Sequence, residues 1–197
     1  MKRPSAELVL SAYYQGVFPM AHTEEEGRIY WYAPDPRAIL PLDGMRISRR
    51  FRQRLRQQPF DIRFNSAFEA VIQACAAPRP DQPETWISEG IAEVYTELHH
   101  LGFAHSVEAW QDDTLVGGLY GVALGGLFAG ESMFHRATDA SKICLAHLVE
   151  RLNQRGFCLL DVQFTTDHLR RLGVIEISRQ AYEARLARAV QRDCSFI

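Results

Sequence analysis

The sequence predicts a mixed α/β (α+β) fold in which a sheet is flanked by helices, and three patterns indicate it. Two segments that open at Ser88 and Asp139 carry apolar residues at the i, i+3, i+4 and i+7 spacing of a half-buried helix. Between them lies a glycine-rich apolar stretch, LVGGLYGVALGGLFAGESMF, which is typical of two strands joined by a turn near Gly125 and Gly126. The run CLLDVQF after the second helix predicts a buried strand.

The start of the chain is interrupted by turns and prolines. Ser5 can cap a short helix, and Gly16 ends it. The three prolines between residues 34 and 41 cannot lie in a regular helix. We therefore place a boundary near residue 38, between a small N-terminal lobe over residues 1–38 and a main domain over residues 39–197.

The main domain contains further strands and helices. IRF predicts a short strand, and Asn65 or Ser66 can cap a helix that runs to about Ala76. A proline-rich loop, APRPDQPE, separates it from the next helix, and HSVEAW alternates as a strand does. DHLRRLG predicts a short helix, and residues 178–190 predict a last one. The order helix, three strands, helix, strand, helix matches an acetyltransferase-like (GNAT-like) sheet, in which two central strands part to leave a cleft for an acyl donor.

Composition and charge exclude several classes of protein. The chain has 197 residues, of which 47% are hydrophobic and 23% charged, and this composition is typical of an ordered globular protein. A net charge of -2 argues against a protein that coats nucleic acid with its whole surface. The four cysteines show neither a CxxC pair nor a metal-ligand spacing, so we expect no metal. The sequence shows neither a membrane-spanning apolar run nor a signal-peptide pattern, so we expect a cytoplasmic protein.

Two polar side chains lie within the predicted buried strand. Asp161 and Gln163 are two residues apart, so both leave the same face, whereas Leu160 and Val162 leave the other. Buried polar groups need partners, and these could be structural, such as a backbone group or an arginine, or a substrate. Glu131 ends the apolar run LFAG and is equally consistent with a cleft and with an ion pair.

Basic residues are concentrated in one short segment without acids. Six like charges in a solvated face would repel each other, whereas guanidinium groups match the oxygens of phosphates. We therefore predict contact with nucleic acid, to which Trp86 could add stacking on a base if it does not fill the core. The six residues are Arg46, Arg49, Arg50, Arg52, Arg54 and Arg56.

Several stretches together resemble the leucyl/phenylalanyl-tRNA–protein transferase family. They are SAYYQGVFPM, WYAPDPRAIL, GLYGVALGGLFAGESMFHRATDASK and LLDVQFTTDHLRRLGVIEISRQAY, in the family's order and over almost the whole chain. The resemblance implies a bacterial cytosolic enzyme with a small N-terminal domain and an acetyltransferase-like C-terminal one. Such enzymes move leucine or phenylalanine from aminoacyl-tRNA to proteins that begin with Arg or Lys, which marks them for degradation by the N-end rule pathway. The resemblance also implies that the protein uses no metal, no CoA and no other cofactor.

The resemblance also implies roles for single residues. Asp161 and Gln163 match the catalytic pair, and Glu131 matches the acid of the GESMF motif. Met20 and Trp86 match positions that contact the aminoacyl end of the tRNA, although some relatives carry tryptophan in place of Met20. The pocket for the leucine or phenylalanine side chain corresponds to Leu119, Phe128, Met133, Leu148, Leu152 and Leu160.

The chemistry needs little beyond orientation, because an aminoacyl ester is already activated. The acceptor amine can attack it directly, without a nucleophile from the enzyme. We expect Asp161 to accept a hydrogen bond from the side-chain amide of Gln163 and so to aim the Gln163 carbonyl oxygen at the amine. We expect Glu131 to help select a cationic first residue.

Two other functions compete with this one. An acetyl-CoA-dependent N-acetyltransferase should carry a glycine-rich pyrophosphate loop before the helix, where this chain has HRATD. A noncatalytic tRNA-binding module would explain the arginines but leaves Asp161 and Gln163 without a purpose. We expect a monomer whose partners are aminoacyl-tRNA and acceptor proteins, with no membrane partner.

Overall fold

A seven-stranded mixed sheet runs through the protein, with helices on both faces, in a computed structural model that describes residues 3–22, 25, 27–78 and 85–197. The helices are α1 (Ala6–Tyr14), α2 (Arg49–Arg56), α3 (Phe68–Ala76), α4 (Glu89–His100), α5 (Ala140–Gln154), α6 (Asp167–Arg171) and α7 (Arg179–Ala189). The strands are β1 (Phe18–His22), β2 (Arg28–Tyr32), β3 (Arg37–Ile39), β4 (Asp61–Phe64), β5 (Ala104–Gln111), β6 (Thr114–Leu124), β7 (Leu127–His135), β8 (Leu159–Gln163) and β9 (Ile175–Ile177).

The large sheet has the strand order β4-β5-β6-β7-β8-β3-β9, and β1 and β2 form a separate hairpin. β7 and β8 pair in parallel, with α5 connecting them, whereas the other neighbours in the large sheet are antiparallel. The predicted mixed sheet flanked by helices is therefore confirmed. None of the helices in the described ranges is long and apolar enough to cross a membrane.

Serine caps account for the starts of four helices, and Ser48 of the arginine-rich segment is one of them. The hydroxyls of Ser5, Ser88 and Ser178 each accept a hydrogen bond from the backbone N–H three residues further on, as predicted for Ser5 and Ser88. The tight turn between β6 and β7 also agrees with its prediction, with Gly125 at a φ of +54° that favours glycine. Residues 79–84 of the predicted proline-rich loop lie outside the described residues.

The start of α3 differs from its prediction. Neither Asn65 nor Ser66 caps it, and the helix begins at Phe68. The buried carboxylate of Glu108 on β5 accepts hydrogen bonds from the Ser66 hydroxyl and, over 2.9 Å, from the Ala67 backbone N–H. A carboxylate from a neighbouring strand thus satisfies the helix start, where negative charge is favourable.

The start of α5 also differs from its prediction. Asp139 precedes the helix with a φ of +66°, and its side chain caps no backbone N–H. Instead, its carboxylate accepts a hydrogen bond from Lys142 Nζ over 2.8 Å. An ion pair one turn into the helix has taken the place of the cap.

The arginine-rich segment forms a helix, α2, that the sequence analysis did not predict. Ser48 caps it by accepting a hydrogen bond from the Phe51 backbone N–H. Phe51 is buried and Leu55, one turn later, is half-buried, so two apolar positions anchor an otherwise charged helix. The division into two domains stays a prediction, and its boundary near residue 38 falls within β3, a strand of the large sheet.

The parallel pair β7 and β8 separates beyond a short region of pairing. They pair through Leu127 with Leu159, Phe128 with Leu160, and Ala129 with Asp161. Beyond these positions a cleft opens between the strands, as expected for the predicted fold.

Candidate active site

The cleft between β7 and β8 has a volume of about 930 Å³, which suits a ligand larger than one amino-acid side chain. One part of its wall is apolar and a polar rim lies beside it. The apolar residues are Leu119, Met133, Leu145, Leu148, Leu160, Val162 and Leu169. The polar and charged residues include Glu131, Ser132, His135, Arg136, Asp139, Ser141, Lys142 and His168. Among the described residues, no group of three or more His, Cys, Asp or Glu side chains is placed to hold a metal ion.

The predicted side-chain pocket coincides with this wall in part. The structure places Leu119, Met133, Leu148 and Leu160 on the wall of the cleft. Phe128 and Leu152 lie in the buried core that these leucines also join, and both are 0% exposed. Sequence reasoning missed Leu145, although it lies three residues before Leu148 on the same apolar face of α5.

Trp86 lines the cleft, and its backbone contacts β1 of the hairpin that β1 and β2 form. The Ala21 backbone N–H donates to the Trp86 carbonyl over 3.1 Å. Met20, the preceding residue, is half-buried and packs on the same core cluster as Trp86. The structure thus brings these two predicted tRNA-end residues near each other, and of the two it is Trp86 that lines the cleft.

A β-bulge aims the Glu131 side chain. Tyr120 of β6 pairs with Ser132, and Gly121 pairs with Gly130, so Glu131 is an extra residue without a pairing partner on β6. Such a bulge breaks the alternation of side chains along a strand and re-aims the extra one.

Three hydrogen-bond donors surround the Glu131 carboxylate. Oε1 accepts from the Tyr13 hydroxyl over 2.6 Å and from Gln163 Nε2 over 2.8 Å. Oε2 accepts from the Tyr95 hydroxyl over 3.3 Å. These donors come from α1, α4 and β8, so the carboxylate ties three elements together.

Burial raises the pKa of Glu131 to about 7. That pKa is a net value: the nearby Asp161 carboxylate contributes to the rise, whereas the hydrogen bonds from Tyr13, Tyr95 and Gln163 stabilise the charged form and oppose it. Burial also holds the pKa values of Tyr13 and Tyr95 well above their ordinary value, so both remain neutral donors. Glu131 therefore changes its charge near neutral pH.

Asp161 has a different set of partners, and they are all buried. Its two oxygens accept from Arg37 Nε over 2.9 Å and from Arg37 Nη2 over 2.6 Å. The Tyr182 hydroxyl donates to Oδ2 over 2.8 Å, and the Gln163 backbone N–H donates to Oδ1 over 2.9 Å. The sequence left open structural partners and a substrate, and for Asp161 the structure shows both kinds of structural partner, an arginine and a backbone N–H.

The expectation of a hydrogen bond between the Asp161 carboxylate and the Gln163 side chain is wrong. The Gln163 side-chain amide donates to Glu131, and Asp161 holds only the Gln163 backbone. Gln163 has a φ of +61°, so it ends the extended alternation of β8 on which the expectation rested.

Sequence reasoning missed four side chains of this network, namely Tyr13, Arg37, Tyr95 and Tyr182. Tyr13, Arg37 and Tyr182 lie within the family-like stretches SAYYQGVFPM, WYAPDPRAIL and LLDVQFTTDHLRRLGVIEISRQAY, and a buried arginine beside two prolines is unusual in itself. Tyr95 and Tyr182 fit the apolar face of their helices, so nothing in their spacing distinguishes them from core residues.

The predicted phosphate-binding arginines lie on and before α2. Arg46, Arg49, Arg50, Arg52 and Arg56 are exposed, and Arg54 is half-buried with its guanidinium 5.8 Å from the centre of the Phe60 ring. Throughout the described ranges no carboxylate forms an ion pair with any of the six. Five cationic groups are thus open to an external anion.

Comparison with known proteins gives consistent matches over the chain. The family described as "Leucyl/phenylalanyl-tRNA protein transferase" matches residues 39–187, and its N-terminal domain matches residues 3–35. A leucyl/phenylalanyl-tRNA--protein transferase of Paramagnetospirillum magneticum (strain ATCC 700264 / AMB-1) is 54% identical over 196 residues, which cover 100% of this chain and 94% of the relative. The protein of that name from Ruegeria sp. (strain TM1040) is 55% identical over 193 residues, which cover 98% of this chain and 90% of the relative.

Solved structures align less closely. That of a GCN5-related N-acetyltransferase-like protein from Streptococcus suis 89/1591 aligns with a TM-score of 0.39 and 15% identity, over 88% of this chain and 64% of that one. The sequence matches are much stronger, since they extend over both segments of the chain at more than half identity. On that ground the chain belongs to the leucyl/phenylalanyl-tRNA protein transferase family.

Proposed function

We propose that this protein transfers leucine or phenylalanine from aminoacyl-tRNA to the N-terminal amine of proteins that begin with Arg or Lys, and so marks them for N-end rule degradation. The observation that carries the proposal is the cleft between β7 and β8, in which an apolar wall lies beside Glu131, the carboxylate that accepts a hydrogen bond from Gln163. Family membership supplies the class of reaction, and the acceptor's first residue comes from the resemblance.

Three separate regions of the protein would bind the aminoacyl-tRNA donor. The apolar wall around Met133, Leu148 and Leu160 suits a leucine or phenylalanine side chain, which such a wall sorts mainly by size. Trp86 would stack on the terminal base, with Met20 packing beside it. The exposed arginines of α2 would hold phosphates elsewhere on the tRNA.

Gln163 would aim the acceptor amine. Its Nε2 donates to Glu131, and no residue in the described ranges donates to its carbonyl Oε1, so that oxygen can accept from an N–H of the amine. The nitrogen lone pair then attacks the ester carbon, a C–N bond forms, and the bond from that carbon to the ribose oxygen breaks. The departing ribose oxygen takes the proton that the amine loses, since an amide is too weak a base to keep it.

Glu131 would act as the partner that orders Gln163. Its carboxylate already accepts three hydrogen bonds, and burial raises its pKa to about 7, so it is a poor counter-ion for an acceptor's guanidinium or ammonium group. This replaces the expected role of Glu131 in choosing a cationic first residue. The enzyme would need no metal, CoA or other cofactor, because the ester supplies the activation, and we expect it to work as a cytoplasmic monomer.

The test combines purified protein with radiolabelled leucyl-tRNA or phenylalanyl-tRNA and short peptides. Transfer to peptides that begin with Arg or Lys, and none to the same peptides begun with Asp, would support the proposal. Equal transfer to all peptides would contradict the acceptor assignment. Acetylation of the same peptides with acetyl-CoA would support an acetyltransferase instead, and tRNA binding without any transfer would support a noncatalytic module.

A further inference from the structure

Arg37 is buried in a place where an arginine is rare. Its side chain is 1% exposed, and so is that of its ion-pair partner Asp161. The guanidinium lies between two rings, 4.7 Å from the centre of Phe18 and 4.5 Å from that of Tyr182. Charged side chains are seldom fully buried unless they are paired, so this one has a specific reason to be inside.

Every hydrogen bond of the Arg37 guanidinium goes to a fixed partner. Nε and Nη2 donate to the two oxygens of Asp161, which is the bidentate arrangement that a guanidinium makes and an ammonium cannot. Nη1 donates to the carbonyl of Gly16 over 2.9 Å, and Nη2 donates more weakly to the Tyr182 hydroxyl over 3.4 Å. The planar group therefore links the end of α1 and the start of β1 to the middle of β8, and holds the Asp161 carboxylate in one orientation.

The oriented Asp161 carboxylate in turn holds the backbone of Gln163, which lies just beyond the region where β7 and β8 pair. Its Oδ1 accepts from both Arg37 Nε and the Gln163 backbone N–H. Gln163 lies at a φ of +61°, a left-handed conformation that is uncommon for a side chain of this kind. Residues in such conformations persist where the surroundings hold them, and here the Asp161 carboxylate is one such group, beside the pairing of Gln163 with Ala38 on β3. The Gln163 side chain, turned by that conformation, reaches Glu131 on β7.

We propose that Arg37 is a positioning residue for the transfer reaction: it holds Asp161, and through it the left-handed backbone of Gln163, so that the Gln163 amide lies on Glu131 with its carbonyl oxygen free for the amine. The inference rests on the proposed role of Gln163. It adds that Arg37 acts on the rate through Gln163 and touches neither substrate. It also means that the segment before residue 38 helps to complete the site.

A double-mutant cycle tests this positioning. The four proteins are wild type, Arg37→Lys, Gln163→Ala and the double variant, and each is measured for single-turnover transfer, for the donor KM and for melting temperature. Arg37→Lys keeps the charge but loses the bidentate fork, so we expect its rate to fall by up to about a hundredfold with the donor KM unchanged. In the Gln163→Ala background the same substitution should lower the rate no further.

A purely structural role makes a different prediction. It would lower the melting temperature in both backgrounds and lower the rate by the same factor in both. Wild-type rate in Arg37→Lys, equal loss in both backgrounds, or full rate in Gln163→Ala would overturn the inference while leaving the transfer reaction itself established. A wild-type protein that transfers nothing would contradict the proposed function and the inference together.

Two further variants keep the test decisive. Tyr182→Phe removes the hydrogen bond to Asp161 Oδ2 and the weaker one from Arg37 Nη2, and it keeps the ring beside the guanidinium. It therefore replaces Arg37→Lys in the same cycle if that variant does not fold. We expect a smaller loss of rate that again disappears in the Gln163→Ala background. Arg179→Lys is the matched control, because Arg179 forms an exposed ion pair with Glu183 at 2.7 Å on α7 and should leave the rate unchanged.

Discussion

The side-chain amide of Gln163 donates to Glu131 over 2.8 Å, although the two residues are 32 positions apart and α5 lies between them in the chain. The bond lies beyond the point at which β7 and β8 stop pairing, so it joins the two strands beside the cleft that Glu131 lines. A carboxylate with three donors and a pKa near neutrality makes this hydrogen bond depend on pH.

We expect the transfer rate to rise with pH through about 7, as Glu131 loses its proton and becomes a full acceptor for Gln163. The free acceptor amine adds a second rise near its own pKa of about 8. Glu131→Gln separates the two, because it should remove the rise near 7 and keep the one from the amine. Single-turnover rates over pH measure both, and an unchanged profile in Glu131→Gln would contradict this role.

The Glu131 carboxyl group should also make the stability of the fold decrease as pH rises. The folded pKa of about 7 is above the ordinary value of 4.5, so between these two values the native state binds more protons than the unfolded state. The free energy of unfolding should therefore decrease across this window, by at most about 3 kcal/mol from this residue. Urea melts at several pH values measure the slope, and Glu131→Gln should flatten it.

Asp161→Asn should destabilise the fold strongly, because it leaves the Arg37 guanidinium buried without a counter-charge. Breaking a buried pair in this way costs about 3–5 kcal/mol. Asp113→Asn is the matched control: Asp113 is 96% exposed, lies 3.7 Å from Arg63, and should cost less than about 1 kcal/mol. Denaturant melts of both variants give the comparison, and a stable Asp161→Asn protein would show that the pair contributes little.

Donor choice should respond to Leu148 and hardly to Leu152. Both are buried leucines on α5, 1% and 0% exposed, and replacing either by alanine should cost about 2–5 kcal/mol of stability. Leu148 lines the cleft, whereas Leu152 lies in the core one turn later. Leu148→Ala should therefore alter the ratio of leucine to phenylalanine transfer at equal enzyme concentration. An equal change in Leu152→Ala would place the pocket deeper than the cleft wall.

The arginine helix should govern affinity for tRNA. Arg49 and Arg52 are exposed, three residues apart on α2, and free of ion pairs with described carboxylates. Replacing both by alanine should weaken tRNA binding and reduce the salt slope by about 1 for each phosphate that is no longer neutralised. Arg185→Ala with Arg188→Ala is the matched control, with the same spacing on α7. Equal weakening by both pairs would indicate that only total charge matters.

Local sequence patterns were sufficient to predict most of the helices and strands and the chemistry of the candidate site residues. Serine caps at Ser5 and Ser88 and the turn at Gly125 depend on neighbours within a few residues, so spacing alone predicts them. The alternation of β8 also identified Asp161 and Gln163 as buried polar groups in need of partners. The start of α3 was not predictable, because its cap comes from a strand some forty residues away.

The sequence by itself determined which residues carry charge, amide or apolar surface, and the family to which their order belongs. Only the tertiary structure decided their partners. Arg37 meets Asp161 across 124 residues, and a bulge together with a left-handed residue, rather than strand alternation, brings Glu131 to Gln163. The physical reason is that a buried polar group pairs with whatever the packing of distant elements places beside it, and local periodicity carries no record of that packing.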